Sequence, residues 1–318
     1  MKLLITRDLP PAVEAAAAES FEVTRRPGAG PLTEAEATAA LQAFDAVLPT
    51  LGDAFTAGAF AAADGRIRCK ILANFGVGYN HIHVAAARAA GVTVTNTPGA
   101  VTDATADIAL TLMLMAARRA GEGERLLRSG NWRGWAPMQL LGQHITGKRL
   151  GIVGMGRIGK AIARRGHFGF GMTVGYTNRS PVADPGMPAQ AMALADLAAW
   201  ADILVAAVPA SPATRYLIDA DILAAMQPHA ILVNIARGDV VDETALISAL
   251  SKGQIAAAGL DVYEHEPHVP QALIDLPNVV LLPHLGTATL EVRVAMGLMA
   301  VDNLRAFVVG EPLPNPVR

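Results

Sequence analysis

The sequence is poor in cysteine, in charge and in long apolar runs, and each shortage closes off a class of function. Its one cysteine, Cys69, sits inside the apolar run IRCKIL and reads as a buried core thiol, so neither a disulfide framework nor a thiolate metal site can be assembled. Charged side chains make up 17% of the chain, with 26 Lys and Arg against 28 Asp and Glu and a net charge of −2. No Lys/Arg run is dense enough to neutralise a row of phosphates, which sets nucleic-acid binding aside. No stretch approaches the roughly 20 uncharged apolar residues that span a bilayer, so no membrane partner is expected. The opening MKLLIT is interrupted by Arg7 and Asp8 before it can form a signal peptide, and a cytoplasmic enzyme is the expectation.

What the chain has in plenty is apolar substance: 318 residues, 52% of them hydrophobic, enough for two separate cores. Apolar β-rich runs alternate with Ala-rich helical stretches. KLLIT, FEVTRR, DAVLPT, CKILANF and VTVTN form a first series; RLGIVGM, MTVGYTN, DILVAAV, AILVNIA, IAAAGLDV and VVLLPH form a second. This alternation predicts an α/β fold of two Rossmann-like or flavodoxin-like domains with parallel sheets. Residues 101–130 read as one linking helix, with Thr102 and Asp103 as possible N-caps. The helical tail EVRVAMGLMAVDNLRAF is expected to return to the first domain. The predicted boundaries are 1–98 with 287–318 for the substrate domain and 99–286 for an inserted nucleotide-binding domain.

Gly154-Met155-Gly156-Arg157-Ile158-Gly159 directly follows the run RLGIVGM and opens the helical stretch IGKAIARR. In that setting Gly154 permits a tight turn, Gly156 lets the backbone approach a pyrophosphate, and Gly159 lets helix pack on strand, while the helix N-terminus offers free N–H groups to the anion. About twenty residues on, an acidic residue usually accepts the ribose hydroxyls of NAD. Here the stretch is Thr177-Asn178-Arg179-Ser180, with no carboxylate to repel a 2′-phosphate and an Arg to hold one, so NADP(H) is favoured and NAD(H) stays possible. Pro209, after DILVAAV, is expected to wall the adenine.

Arg237 follows AILVNIA, Glu266 lies just past IAAAGLDV, and His284 ends VVLLPH. Groups at the carboxyl ends of parallel strands converge on one crevice. Reduction of a 2-oxo acid needs a fixed cation for the carboxylate, a proton for the oxygen and a hydride for the carbon. Arg237 supplies the fork of donors, His284 the proton, and Glu266 the carboxylate that orients the imidazole and favours its charged form. Taken singly, each residue has a blander reading: a loop arginine, part of the solvated run EHEPH, a core histidine. No metal is expected, since EHEPH lacks the HExxH spacing.

In combination the motifs NFGVGYNHIH, VTNTPGAVTDATADIAL, GIVGMGRIG, NIARGDVVDETAL, AAGLDVYEHEP and LLPHLGTAT resemble the D-isomer-specific 2-hydroxyacid dehydrogenase family, and within it the glyoxylate/hydroxypyruvate reductases, from roughly residue 74 to the C-terminus. The resemblance implies that Arg237, Glu266 and His284 are the catalytic Arg, Glu and His, and that the backbone of Val77 and Gly78 cradles the substrate carboxylate. It implies also that Asp261 holds the nicotinamide carboxamide, that Thr105 contacts the cofactor, that YTNRS belongs to NADP-preferring members, and that the protein is a homodimer built around the residue 101–130 helix. Where the family commonly has acidic residues after the glycine loop this chain has Asn80 and His83. Other substrates on the same fold, such as phosphite or a larger 2-oxo acid, and a nucleotide-sensing corepressor-like binding protein stay open as alternatives.

Overall fold

The computed structural model describes residues 1–28, 30–63 and 65–317, and its strands form where the apolar runs fall. The chain divides into two compact units, Met1–Val101 with Thr287–Arg318, and Thr102–Gly286.

In the first unit, strands β1 (Lys2–Ile5), β2 (Glu22–Arg25), β3 (Ala46–Leu48), β4 (Ile71–Ala73) and β5 (Thr93–Thr95) alternate with helices α1 (Pro11–Ala18), α2 (Glu34–Ala43), α3 (Ala57–Ala63) and α4 (Val84–Ala89). They form a parallel sheet in the order β2-β1-β3-β4-β5, the flavodoxin-like arrangement. One core packs Leu41, Val47, Phe55, Phe60, Leu72 and Val94. Removing each such side chain from water contributes about 1.5–3 kcal/mol. Cys69 lies in this core, and burial pushes its thiol pKa up to about 12, which leaves it unreactive. Helix α2 starts at a capping box in which the Glu36 amide donates to Thr33 Oγ1 at 3.3 Å and the Thr33 amide donates to Glu36 at 2.8 Å. The tail returns as α12 (Leu290–Val309), which packs on α1 through Gly297, where a Cβ would stand 2.4 Å from Val13.

In the second unit, strands β6 (Arg149–Val153), β7 (Thr173–Thr177), β8 (Ala189–Ala191), β9 (Ile203–Ala206), β10 (Ile231–Asn234), β11 (Ala257–Leu260) and β12 (Val279–Leu281) form a seven-stranded parallel sheet in the order β12-β11-β10-β9-β6-β7-β8. The order reverses direction between β6 and β9, the switch point of a doubly wound sheet. Helices α5 (Thr102–Ala117) and α6 (Ala120–Arg128) precede the sheet; α7 (Arg157–Arg164), α8 (Leu194–Trp200), α9 (Ala220–Ala225), α10 (Glu243–Ser251) and α11 (Gln271–Ile274) connect its strands. Its central strands are buried on both faces: Ile152, Val205 and Val233 pack with α5 and α7, while Val153, Leu204 and Leu232 pack with α8, α9 and α10. Such double burial explains why these strands read as continuous apolar runs.

Two details differ from the sequence reading. The sheet gains a seventh strand, β8, whose sequence AQA carries no apolar run because it pairs at the edge and is largely solvated. The linking segment is two helices, broken at Arg119, which adopts φ 51° and whose guanidinium then donates to Glu122 at 2.8 and 2.7 Å. Among the described residues no helix is long and apolar enough to cross a membrane.

Candidate active site

The glycine turn stands at the switch point, between β6 and α7, and its three glycines have three separate physical reasons. Gly154 has φ +101°, and a Cβ there would lie 2.8 Å from the Ala207 carbonyl. At Gly159 a Cβ would come within 2.1 Å of the Gly154 carbonyl, so helix and turn touch backbone to backbone. Gly156 is the N-cap of α7, and a Cβ on it would meet nothing within 4 Å. The space beside Gly156 is open on the side where a pyrophosphate would approach the first amides of the helix, so the turn fits a dinucleotide. Arg157 begins the helix and is exposed; Ile158 turns back onto the core.

Asn178 closes the far side of the turn. Its Oδ1 accepts the Met155 amide at 3.1 Å, and its Nδ2 donates to the Ser180 carbonyl at 2.8 Å. The loop after β7 is thereby held against the glycine turn, with Arg179 and Ser180 exposed. Pro209 is also exposed, and its carbonyl accepts from Thr214 Oγ1 at 2.8 Å.

Arg237, Glu266 and His284 follow β10, β11 and β12, three neighbours in the sheet. His284 Nδ1 and Glu266 Oε2 are 2.8 Å apart, and Glu266 Oε1 accepts the Tyr263 amide at 3.0 Å, so both carboxylate oxygens are bound. Burial pushes the Glu266 pKa up, but the His284 hydrogen bond and charge, the Tyr263 amide and the Arg237 charge outweigh it and hold the carboxyl below the usual range. The Arg237 guanidinium is largely buried, which lowers its pKa, against the opposing charges of Glu266 and Asp239. Its Nη1 donates to the Ala236 carbonyl at 2.7 Å.

The loops carrying these groups are pinned by side chains that sequence reasoning did not select. Asn234, fully buried at the end of β10, accepts the Ala236 amide at 3.0 Å and donates to the Arg237 carbonyl at 2.9 Å. Gly238 follows, and a Cβ there would stand 1.8 Å from the Tyr263 carbonyl carbon, so the Arg237 turn lies directly against the chain leading to Glu266. The only advance signal for either was adjacency to Arg237.

His284 itself adopts φ 55°, a left-handed conformation uncommon outside glycine, which costs about 1–3 kcal/mol and persists only where the surroundings enforce it. The enforcing group is Asp261. Its buried carboxylate accepts the Leu285 amide at 2.6 Å and the Gly286 amide at 2.8 Å, and its carbonyl accepts the His284 amide at 3.0 Å. Burial raises the Asp261 pKa, and the two amides oppose that rise. Thr105 Oγ1 donates to the Gly286 carbonyl at 3.2 Å. Asp261 and Thr105 therefore both lie at the His284 turn. Val77 and Gly78 lie in the first unit, in the loop after β4. Among the described residues no group of three or more His, Cys, Asp or Glu side chains is placed to hold a metal ion.

Residues 110–286 match the family model for the D-isomer specific 2-hydroxyacid dehydrogenase, NAD binding domain. A glyoxylate reductase of Thermococcus kodakarensis is 44% identical, with 99% of this chain and 96% of that protein covered. A glycerate dehydrogenase of Hyphomicrobium methylovorum is 36% identical over 97% of this chain and 96% of its own. Among solved structures, the NADPH-dependent glyoxylate/hydroxypyruvate reductase of Sinorhizobium meliloti, in complex with NADP and malonate, superposes with a TM-score of 0.88 at 37% identity, covering 99% of this chain and 96% of that one. With matching sequence along nearly its whole length, a doubly wound sheet with its glycine turn at the switch point, and Arg, Glu and His at three adjacent strand ends, the chain belongs to the D-isomer-specific 2-hydroxyacid dehydrogenase family of oxidoreductases.

Proposed function

We propose that this protein is an NADPH-preferring reductase of small 2-oxo acids, of the glyoxylate and hydroxypyruvate kind. The observation that carries the reading is the Glu266–His284 pair at 2.8 Å, on the loops after β11 and β12, the first of which adjoins the strand that leads to Arg237. With Nδ1 committed to the carboxylate, the ring's second nitrogen, Nε2, is the one left to hand a proton to the substrate oxygen, and the Glu266 charge stabilises the imidazolium until it does. Arg237 binds the carboxylate and keto oxygen through its planar fork and fixes which carbonyl face is presented. The backbone of Val77 and Gly78 is assigned to the same carboxylate. When bound, the nicotinamide supplies the hydride to the carbonyl carbon. Residues 154–159 hold the pyrophosphate, Pro209 walls the adenine, and Asp261 and Thr105 serve the nicotinamide end through the turn that carries His284.

The preference for NADPH rests on the absence of a carboxylate after β7 and on the exposed Arg179 and Ser180, with Asn178 shaping the loop. Residues 1–98 and 287–318 act in this reading as the substrate domain and 99–286 as the nucleotide domain. A homodimer is part of the reading, since Leu127, Trp132, Trp135, Met138 and Leu141 lie close together in sequence with their apolar surface exposed; sedimentation of the purified protein tests it. The reaction is tested by initial rates of nicotinamide oxidation with glyoxylate, hydroxypyruvate, pyruvate and phenylpyruvate, each with NADPH and NADH. Fast turnover of the first two with NADPH is the expected result. A preference for NADH overturns the cofactor assignment alone, and no turnover of any oxo acid overturns the reductase.

A further inference from the structure

The loop at residues 76–78 has its three carbonyls held one by one. The Gly76 carbonyl accepts from Asn74 Nδ2 at 2.9 Å and from the Thr97 amide at 3.1 Å; the Val77 carbonyl accepts from Asn96 Nδ2 at 2.9 Å; the Gly78 carbonyl accepts from Asn74 Nδ2 at 2.9 Å. A trans peptide is planar, with its N–H directed opposite to its C=O. Fixing the Gly76 carbonyl therefore turns the Val77 N–H away from Asn74, fixing the Val77 carbonyl turns the Gly78 N–H away from Asn96, and fixing the Gly78 carbonyl does the same for Tyr79. Among the described residues no acceptor is placed on the Val77 or Gly78 N–H. With all three carbonyls committed, the Val77 and Gly78 N–H groups are left to an outside acceptor, and successive backbone N–H groups left this way can form an anion-binding nest.

The two asparagines are themselves secured. Asn74 is fully buried, its amide donates to the Thr95 carbonyl at 3.0 Å, and its Oδ1 is a buried oxygen with no hydrogen-bond partner. An unmet buried acceptor costs about 1–3 kcal/mol, which marks Asn74 as a residue held for its donor end. Asn96 is anchored by its own amide, which donates to the Asn315 carbonyl at 3.2 Å; Asn315 in turn exchanges two hydrogen bonds with the buried Asn303 of α12, at 3.0 and 3.1 Å.

We propose that Asn74 and Asn96 are positioning residues for the substrate carboxylate: by gripping the loop's carbonyls they preorganise the Val77 and Gly78 amides as its binding nest. The inference rests on the reductase reading above and assigns to side chains what that reading gave to the backbone alone. Ordering the loop in advance spares the substrate the entropy of ordering it.

The test compares wild type, Asn96→Ala, Asn96→Asp and Asn74→Asp, using glyoxylate and its neutral methyl ester as substrates with saturating NADPH, and titrates oxalate into the NADP-loaded protein. Asn96 is half-exposed, so its variants fold even if Asn74→Asp does not. The expected result is a rise of about tenfold in KM for glyoxylate, the scale of one charge-assisted hydrogen bond, with kcat within about twofold. Oxalate weakens in parallel, while KM for the ester and the Kd for NADPH stay put. Equal losses on acid and ester, or no change on either, overturn the proposal while wild-type turnover leaves the reductase standing. A wild type that neither turns over glyoxylate nor binds oxalate overturns both.

Discussion

The two glycine loops of this protein, residues 154–159 in the second unit and residues 76–78 in the first, present backbone amides in opposite ways. The first is shaped by what is missing: Cβ atoms at Gly154 and Gly159 would strike backbone carbonyls at 2.8 and 2.1 Å. The second is shaped by what is present, since Asn74 and Asn96 grip its carbonyls at 2.9 Å. A steric requirement writes itself into the sequence as spaced glycines. A hydrogen-bonded brace leaves only asparagines, which are common in any loop. In the proposed function the units also differ in chemistry: proton transfer, nucleotide binding and the Arg237 grip on the carboxylate fall to the second, and the first adds the Val77 and Gly78 amides. Lesions at His284 or the glycine turn should therefore lower kcat or nucleotide affinity, while lesions around residues 76–78 raise KM.

The largest test of that division is His284→Ala, expected to lower kcat at neutral pH by about 10²–10⁴-fold with little change in the Kd for NADPH. Wild-type turnover in this variant would sink the assignment. Gly159→Ala comes next: the backbone cannot yield 1 Å without separating α7 from β6, so we expect a loss of about 1–3 kcal/mol in unfolding free energy and strongly weakened NADPH binding. Gly156→Ala sharpens the contrast, because its Cβ meets nothing in the free protein; thermal unfolding without nucleotide should match wild type while NADPH binds about tenfold more weakly. Equal Tm losses in both variants would show that Gly156 is a packing residue. Arg179→Ala should reduce the preference for NADPH over NADH by about tenfold, read as the ratio of kcat/KM values.

The pH dependence gives the smallest effect. Glu266 has a depressed pKa in the folded protein, so its stabilising contribution is complete above the ordinary carboxylate range and is lost as pH falls through the folded value. Glu266→Gln removes that acid-side dependence, so its Tm should fall less than that of wild type between neutral pH and the acid side; an unchanged slope of Tm against pH would show that Glu266 is not the group being titrated.

Much of the architecture was legible in advance, since parallel strands buried on both faces appear as unbroken apolar runs such as GIV and ILV. Strand β8 was not, because an edge strand with solvated faces has no such run. The break at Arg119 was equally hidden: neither glycine nor proline occupies the position, and its left-handed backbone is accompanied by a side-chain pairing with Glu122. At the candidate active site, Arg237, Glu266 and His284 could be selected by type and by their places after consecutive strands, whereas Asn234 and Gly238, which set the turn carrying Arg237, could not.

By itself the sequence determined the two alternating series, the glycine turn and the three polar residues at strand ends, because each is a local pattern imposed by burial, sterics or chain order. The tertiary structure alone decided that His284 takes a left-handed conformation under Asp261, that Thr105 reaches Gly286 across 181 positions, and that Asn74 and Asn96 hold the Gly76, Val77 and Gly78 carbonyls. Those outcomes depend on partners brought together from distant parts of the chain, and a hydrogen bond within about 3 Å is decided by where the backbone goes rather than by which residues are present.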